Sequence, residues 1–261
     1  MGKQDSTATR VAPVFDQLLA IDSSGESWLT SLMQLPVHGA EFDAVGSLGR
    51  IKDSAWGDNE RGLPPPRSLL RWLAEHAAPT SPSVLNSSSH RTSDLRKRLL
   101  DGDQEVLRTA LSELDKERIP ESAWYIFEGP SKPDVYIATP EAIVVIEGKR
   151  TENYITTKTS WMGERHQMLR HIDCAWDVRG GRRVLGCLIV EGEGGAGGLP
   201  VPNKWIEAAR LTVADQALEL SLPHRSADER RGIANAFLGV TTWQQVCRTF
   251  ALDWDSLPDV I

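Results

Sequence analysis

The chain has few cysteines: Cys174, Cys187 and Cys247 in 261 residues, with no Cys-x-x-Cys pair. An odd count without ligand spacing argues against a disulfide framework and against a zinc site. A reduced, cytoplasmic setting is the expectation. No run approaches 18 apolar residues, so no membrane span is expected, and residues 1–6 lead into no apolar signal-peptide stretch. A basic excess is also missing. Lys and Arg number 29 against 36 Asp and Glu, a net charge of −7. That balance argues against a protein that coats nucleic acid by bulk charge, but not against one that works through a metal ion and a local basic patch. The six histidines include no His-x-x-x-His pair, since His166 and His171 are five apart. The glycine-rich stretch 191–198 lacks the Gly-Lys-Ser/Thr ending of a phosphate loop and reads as a flexible loop. Ser23 to Ser27 lacks the second glycine of a nucleophile elbow. No internal repeat is visible.

What is present is a large stock of core-forming residues, 40% hydrophobic with nine tryptophans, enough to exclude a disordered chain. Residues 1–90 read as helical and irregular, with Phe15, Leu18, Leu19 and Trp28, Leu29, Leu32, Met33 at helical spacing and a short amphipathic helix over 68–76. A Ser/Pro-rich linker over 79–93 closes that region. From residue 91 to 200 the pattern predicts a helix over about 103–117, then strands at 124–127, 134–139 and 142–148. A helix over about 161–178 and a strand at 183–190 follow. The order is α-β-β-β-α-β. Residues 201–261 read as helical, with capping boxes at Ser226 to Glu229 and at Thr241 to Gln244, and with Gly239 ending the helix between them.

The chemistry concentrates in the hairpin from Lys132 to Lys149. Asp134 opens one strand, and Glu147 and Lys149 end the next. Alternate residues of a strand share a face, so Glu147 and Lys149 point together. If Asp134 lies near that strand end, two carboxylates, an ammonium and the Gly148 carbonyl converge. Hard oxygen donors of this kind suit Mg²⁺ or Mn²⁺. A metal held there acidifies a bound water and offsets phosphate charge, and Lys149 can orient the water or stabilise developing charge. An exposed salt bridge at a strand end is the plainer reading of the same residues.

Pro133-Asp134 followed by Glu147-Gly148-Lys149 resembles the PD-(D/E)XK nuclease superfamily, over roughly residues 100–190. The resemblance implies a restriction-endonuclease-like α/β fold with helical additions. It makes Asp134 and Glu147 metal ligands and Lys149 the catalytic lysine, in keeping with the Gly148 carbonyl as a further metal-holding oxygen and with Mg²⁺ or Mn²⁺ as cofactor. It implies hydrolysis of DNA, with RNA the weaker substrate. On the following helix Gln167 and His171 are four apart and share a face. Gln167 with a ring four residues on resembles the Gln-x-x-x-Tyr pattern of the RecB-like branch, although His171 stands where that pattern has tyrosine. Gln167 joins the catalytic set and His171 is an added candidate. Glu105, ahead of Glu113, is the candidate for a further carboxylate on the first helix, and Glu128 at the end of the first strand is a third option. Arg150, Lys158, Arg165 and Arg170 are the expected phosphate contacts. A homodimer, or a partner protein in a restriction or defence complex, would supply the DNA affinity that the acidic chain lacks. The alternative is a non-cleaving nucleic-acid-binding or scaffold subunit that keeps the fold.

Overall fold

The computed structural model describes residues 6–37, 45–76, 79, 85, 89–120, 122–152, 154 and 159–258. A five-stranded mixed sheet lies at the centre, in the order β1 (Asp53–Trp56), β2 (Val135–Ala138), β3 (Ala142–Lys149), β4 (Arg183–Val190), β5 (Phe237–Thr242). β2 runs antiparallel to both of its neighbours, β1 and β3, while β3, β4 and β5 are mutually parallel. The fold is α/β, with helices on both faces of an open sheet.

β2 and β3 form a hairpin because Thr139 closes a tight turn. Its N–H donates to the Ala142 carbonyl, and its hydroxyl accepts from the Glu141 and Ala142 N–H groups. All eight residues of β3 are buried. That explains the unbroken apolar run: this strand is covered on both faces. Alternate residues divide between two cores. Ala142, Val144 and Ile146 face the helix Ala12–Ile21 (α1), the helix Leu29–Met33 (α2) and residues 238–257. Ile143 and Val145 face the helix Gln167–Asp177 (α6) and the C-terminal helices Asn203–Thr212 (α7), Asp215–Ser221 (α8) and Ala227–Ala236 (α9). A third core joins the helices Arg67–His76 (α3), His90–Leu100 (α4) and Gln104–Leu114 (α5) with Tyr125, Phe127 and Trp161.

Several expectations are corrected. Trp124 to Phe127 is not a strand. The Arg96 guanidinium takes the Trp124 and Ile126 carbonyls at 2.8 and 3.0 Å and lies over the Phe127 and Trp161 rings. The segment's backbone and aromatic groups are thus spent on the helical layer. The sheet instead takes its outer strands from the flanks, β1 before and β5 after the expected core. Gly239 does not end a helix: α9 stops at Ala236 and Gly239 lies within β5 at φ +96°. There the pairing with β4 slips by one residue, a bulge that glycine permits. The helix before β4 begins at Gln167 rather than 161, and the helical stretch after residue 201 opens with two helices, α7 and α8. The Ser226–Glu229 capping box is present, but the second cap falls on Thr242, whose hydroxyl accepts from Gln245 N–H. Residues 90–93 belong to α4, while most of the expected linker lies outside the described residues. The loop 191–198 is held in place. Gln244 binds Gly192 through both its N–H and its carbonyl, and Arg10 forms a two-pronged ion pair with Glu191. Among the described residues no helix is long and apolar enough to cross a membrane. The three cysteines are buried and unpaired with one another, and burial pushes the Cys187 and Cys247 thiols up to about 12 and 11.

Candidate functional site

The parallel strands β3, β4 and β5 all end at one edge of the sheet, where open α/β sheets commonly hold ligands. The antiparallel β2 begins there. Val135 pairs with Ile146, so one step further along the same register Asp134 lies across from Glu147. By strand alternation Glu147 and Lys149 share the face of Ile143 and Val145, which pack in the second core. The hairpin therefore brings all three side chains to one end of the sheet: Glu147 and Lys149 on one face, as their spacing predicts, and Asp134 with its Oδ2 against the Gly148 N–H.

Their contacts are specific. Lys149 Nζ donates to Glu147 Oε1 at 2.9 Å and to Gln167 Oε1 at 3.2 Å. Gln167 Nε2 donates to the same Glu147 oxygen at 2.6 Å. His171 Nε2 meets Glu147 Oε2 at 3.0 Å, and its Nδ1 meets Ser131 Oγ at 2.7 Å. The i,i+4 spacing on α6 thus brings Gln167 and His171 onto the two oxygens of one carboxylate. Gly148 N–H donates to Asp134 Oδ2 at 2.8 Å.

Gly148 has a second reason to be glycine. A Cβ there would lie 2.8 Å from both Trp243 Cζ2 and Val11 Cγ2, so the opposite face leaves no room for a side chain. Its carbonyl direction follows from the ladder. Lys149 O accepts from Glu191 N–H across the β4 side, so the polar groups of Gly148 face the other way, past the start of β2.

Burial alone would push Glu147 up, but the hydrogen bond from His171 and the charge of Lys149 outweigh it and hold the carboxyl below its ordinary range. Burial alone would push Lys149 down, but Glu147, then Glu152 and Asp134, outweigh it and raise the amine. Lys149 is therefore an ammonium at neutral pH, suited to holding charge rather than to accepting a proton. Glu152 is a member that the strand pattern does not reveal. It lies three residues beyond Lys149, with Oε1 3.9 Å from Nζ and the other oxygen accepting from Arg150 N–H. Two carboxylates thus lie within 4 Å of one ammonium, and the Asp134 charge acts on it from farther off.

The donor set suits a small hard dication. Asp134, Glu147 and the Gly148 carbonyl offer oxygens at one edge, and Mg²⁺ commonly takes one or two carboxylates while waters and phosphate fill the remainder. Among the described residues no three or more His, Cys, Asp or Glu side chains form a metal-holding group; a two-carboxylate Mg²⁺ site does not require one.

Other candidates lie elsewhere. Glu105 is exposed in the first turn of α5, within the helical layer of the third core. Glu113, in the last turn of α5, pairs with Lys116 just beyond the helix. Lys158 lies outside the described residues. Arg150 is half-buried beside Glu152. Arg170 is partly exposed, with one nitrogen donating to the Gly129 and Pro130 carbonyls and another paired with Glu128. Arg165 is corrected from a phosphate contact to an internal brace. Its fully buried guanidinium is taken by Glu128, by Asp173 at 2.7 Å and by the Ser221 carbonyl. Asp173 also accepts from Arg225 at 2.7 Å and from His224 at 3.0 Å. This cluster fastens α6, and with it Gln167 and His171, to the loop before α9.

His166 opens α6 and is buried, with Nε2 2.9 Å from Thr212 Oγ1. Burial, with a smaller contribution from His171, lowers its pKa to about 4. The unfolded chain takes up a proton near pH 6.5 that the folded chain refuses until about pH 4. Acidification across that interval therefore favours unfolding. His166→Gln is expected to remove about 2 kcal/mol of the stability lost between pH 7 and pH 5. Urea denaturation at both pH values checks this; an unchanged pH 7 to pH 5 difference in the variant contradicts it.

No family model matches the chain, and no curated protein or solved structure matches it either. The functional reading therefore stands on the chemistry of this edge.

Proposed function

We propose that the chain is a Mg²⁺-dependent nuclease of the PD-(D/E)XK kind, with a restriction-endonuclease-like core, and that DNA is its substrate. One observation carries the reading: a buried ammonium held at a strand edge in the field of three carboxylates, two of them placed across from each other on neighbouring strands. A phosphodiester is repelled by that excess of negative charge unless a cation stands between. Asp134, Glu147 and the Gly148 carbonyl would hold the ion. Bound Mg²⁺ would supply an acidified water and offset the charge on phosphate. Lys149 keeps its proton and stabilises the negative charge that develops as water adds to phosphorus. Gln167 bonds both Lys149 and Glu147, so it fixes their mutual orientation. Beside the start of α6 a groove of about 690 Å³ runs between Tyr154, His166, Leu211 and Leu220. Tyr154 is 74% exposed there, and such a ring offers a face for base stacking.

A second reading has its own observation. Asp134, Glu147 and Lys149 are 2, 3 and 6% exposed, as fits an internal ion pair in a non-cleaving binding subunit. The full chain with Mg²⁺, presented with double-stranded DNA, single-stranded DNA and RNA of the same sequence, separates the two. Cleavage that stops on chelation and falls first on DNA supports the nuclease. Metal-independent binding without cleavage of any substrate supports the subunit.

A further inference from the structure

Ser131 belongs to no sequence motif, yet it is fully buried and directly linked to the candidate centre. Its Oγ lies 2.7 Å from His171 Nδ1, and His171 Nε2 lies 3.0 Å from Glu147 Oε2. Serine, histidine and glutamate in a row are also the members of a hydrolytic triad. A nucleophilic role is excluded because Ser131 has no exposed surface.

We propose instead that Ser131 and His171 are positioning residues that fix the orientation of Glu147; the metal-binding part of this proposal rests on the nuclease reading. A carboxylate only accepts, so His171 presents Nε2–H to Glu147, and the Ser131 hydroxyl holds the other side of the ring. The relay is anchored at its far end. Ser131 N–H donates to the Leu63 carbonyl at 2.8 Å, and Leu63 N–H donates back to the Ser131 carbonyl at 2.7 Å. Arg170 secures the preceding carbonyls of Gly129 and Pro130. Ser131 is therefore fixed by backbone from the N-terminal region and by α6 together. On the other oxygen of Glu147, Lys149 and Gln167 already donate. Three donors leave the carboxylate about one of its four lone-pair sites. That single site is what the relay aims at the edge shared with Asp134.

The first test needs no variant. Nitrogen-resolved NMR of the imidazoles in the intact chain is expected to show the His171 hydrogen on Nε2; a ring whose only hydrogen is on Nδ1 overturns the proposal. Ser131→Ala is then expected to shift the Nδ1 resonance. It should also weaken Mn²⁺ binding, measured by calorimetry, about 10- to 100-fold, as loss of an outer partner of a ligand does. In cleavage, the metal concentration for half-maximal rate should rise by the same factor, with kcat at saturating metal within about threefold of the parent. His171→Gln, which can still donate to Glu147, should recover part of the Mn²⁺ affinity lost in His171→Ala. Unchanged Nδ1 resonance and Mn²⁺ affinity in Ser131→Ala overturn the relay. If the parent chain neither binds Mn²⁺ nor cuts DNA, the nuclease reading and the metal part fail together, while the NMR result still decides whether Ser131 and His171 position Glu147.

Discussion

Lys149→Met is expected to cost on the order of 3 kcal/mol of folding stability at neutral pH. The side chains of Lys149 and Glu147 are 7 and 4% exposed. Removing the ammonium leaves a buried carboxylate with His171 and Gln167 as its remaining donors, and stranding one member of a buried pair costs about 3–5 kcal/mol. Those two donors place the loss at the low end of that range. The double variant Glu147→Gln, Lys149→Met removes both charges and should lose less than the sum of the single losses, with a coupling of at least about 1 kcal/mol. Urea denaturation of the four proteins measures it. Additive losses would mean that the two residues do not act as a pair.

The second large effect is at Asp173. Its carboxylate is fully buried and accepts from Arg165, Arg225 and His224. Burial alone would push it up, but those partners outweigh burial and hold it far below the ordinary range. Asp173→Asn keeps the shape and removes the charge that two buried guanidiniums share. A loss of about 3–5 kcal/mol is expected, a large part of the roughly 5–15 kcal/mol that a domain has. Because Asp173 fastens α6, Gln167 and His171 should loosen with it. Thermal and urea unfolding beside the surface control Asp228→Asn check the effect. A loss below about 1 kcal/mol would show that Glu128, Asp177 and Glu229 suffice for the arginines. The sign with pH follows from the depressed pKa. This stabilisation is present above the ordinary carboxylate pKa near 4 and is lost as pH falls through the folded value.

The hairpin was legible in the sequence because its information is local. Thr139 and Pro140 mark the turn, the apolar run marks a doubly covered strand, and alternation places Glu147 and Lys149 on one face. The pairing of Gln167 with His171 was legible for the same reason, as four residues make one helical turn. The outer strands were not. Asp53–Trp56 carries no alternating pattern and is a strand only because β2 offers it an edge. Phe237–Thr242 follows α9 with no turn residue between them and becomes a strand by pairing with β4 across a bulge. Trp124 to Phe127 looks like a strand from its apolar, aromatic content, but Arg96 takes its carbonyls from a helix 28 residues away in sequence. Arg165 reads as a surface cation beside His166 and Arg170, and only the fold brings Glu128 and Asp173 around it. Ser131 and Glu152 join the site through tertiary contacts and a turn after β3, for which no spacing rule exists.

The central proposal is that the edge formed by Asp134, Glu147 and Lys149 hydrolyses phosphodiesters with Mg²⁺. The most direct measurement is the single-turnover cleavage rate of DNA by the parent chain, Asp134→Asn and Lys149→Met, each folded by circular dichroism and each with and without Mg²⁺. The account predicts cleavage by the parent only with Mg²⁺, and a fall of at least about 100-fold in either variant. Cleavage at the parent rate by both folded variants, or no cleavage by the parent in any divalent metal, would contradict it.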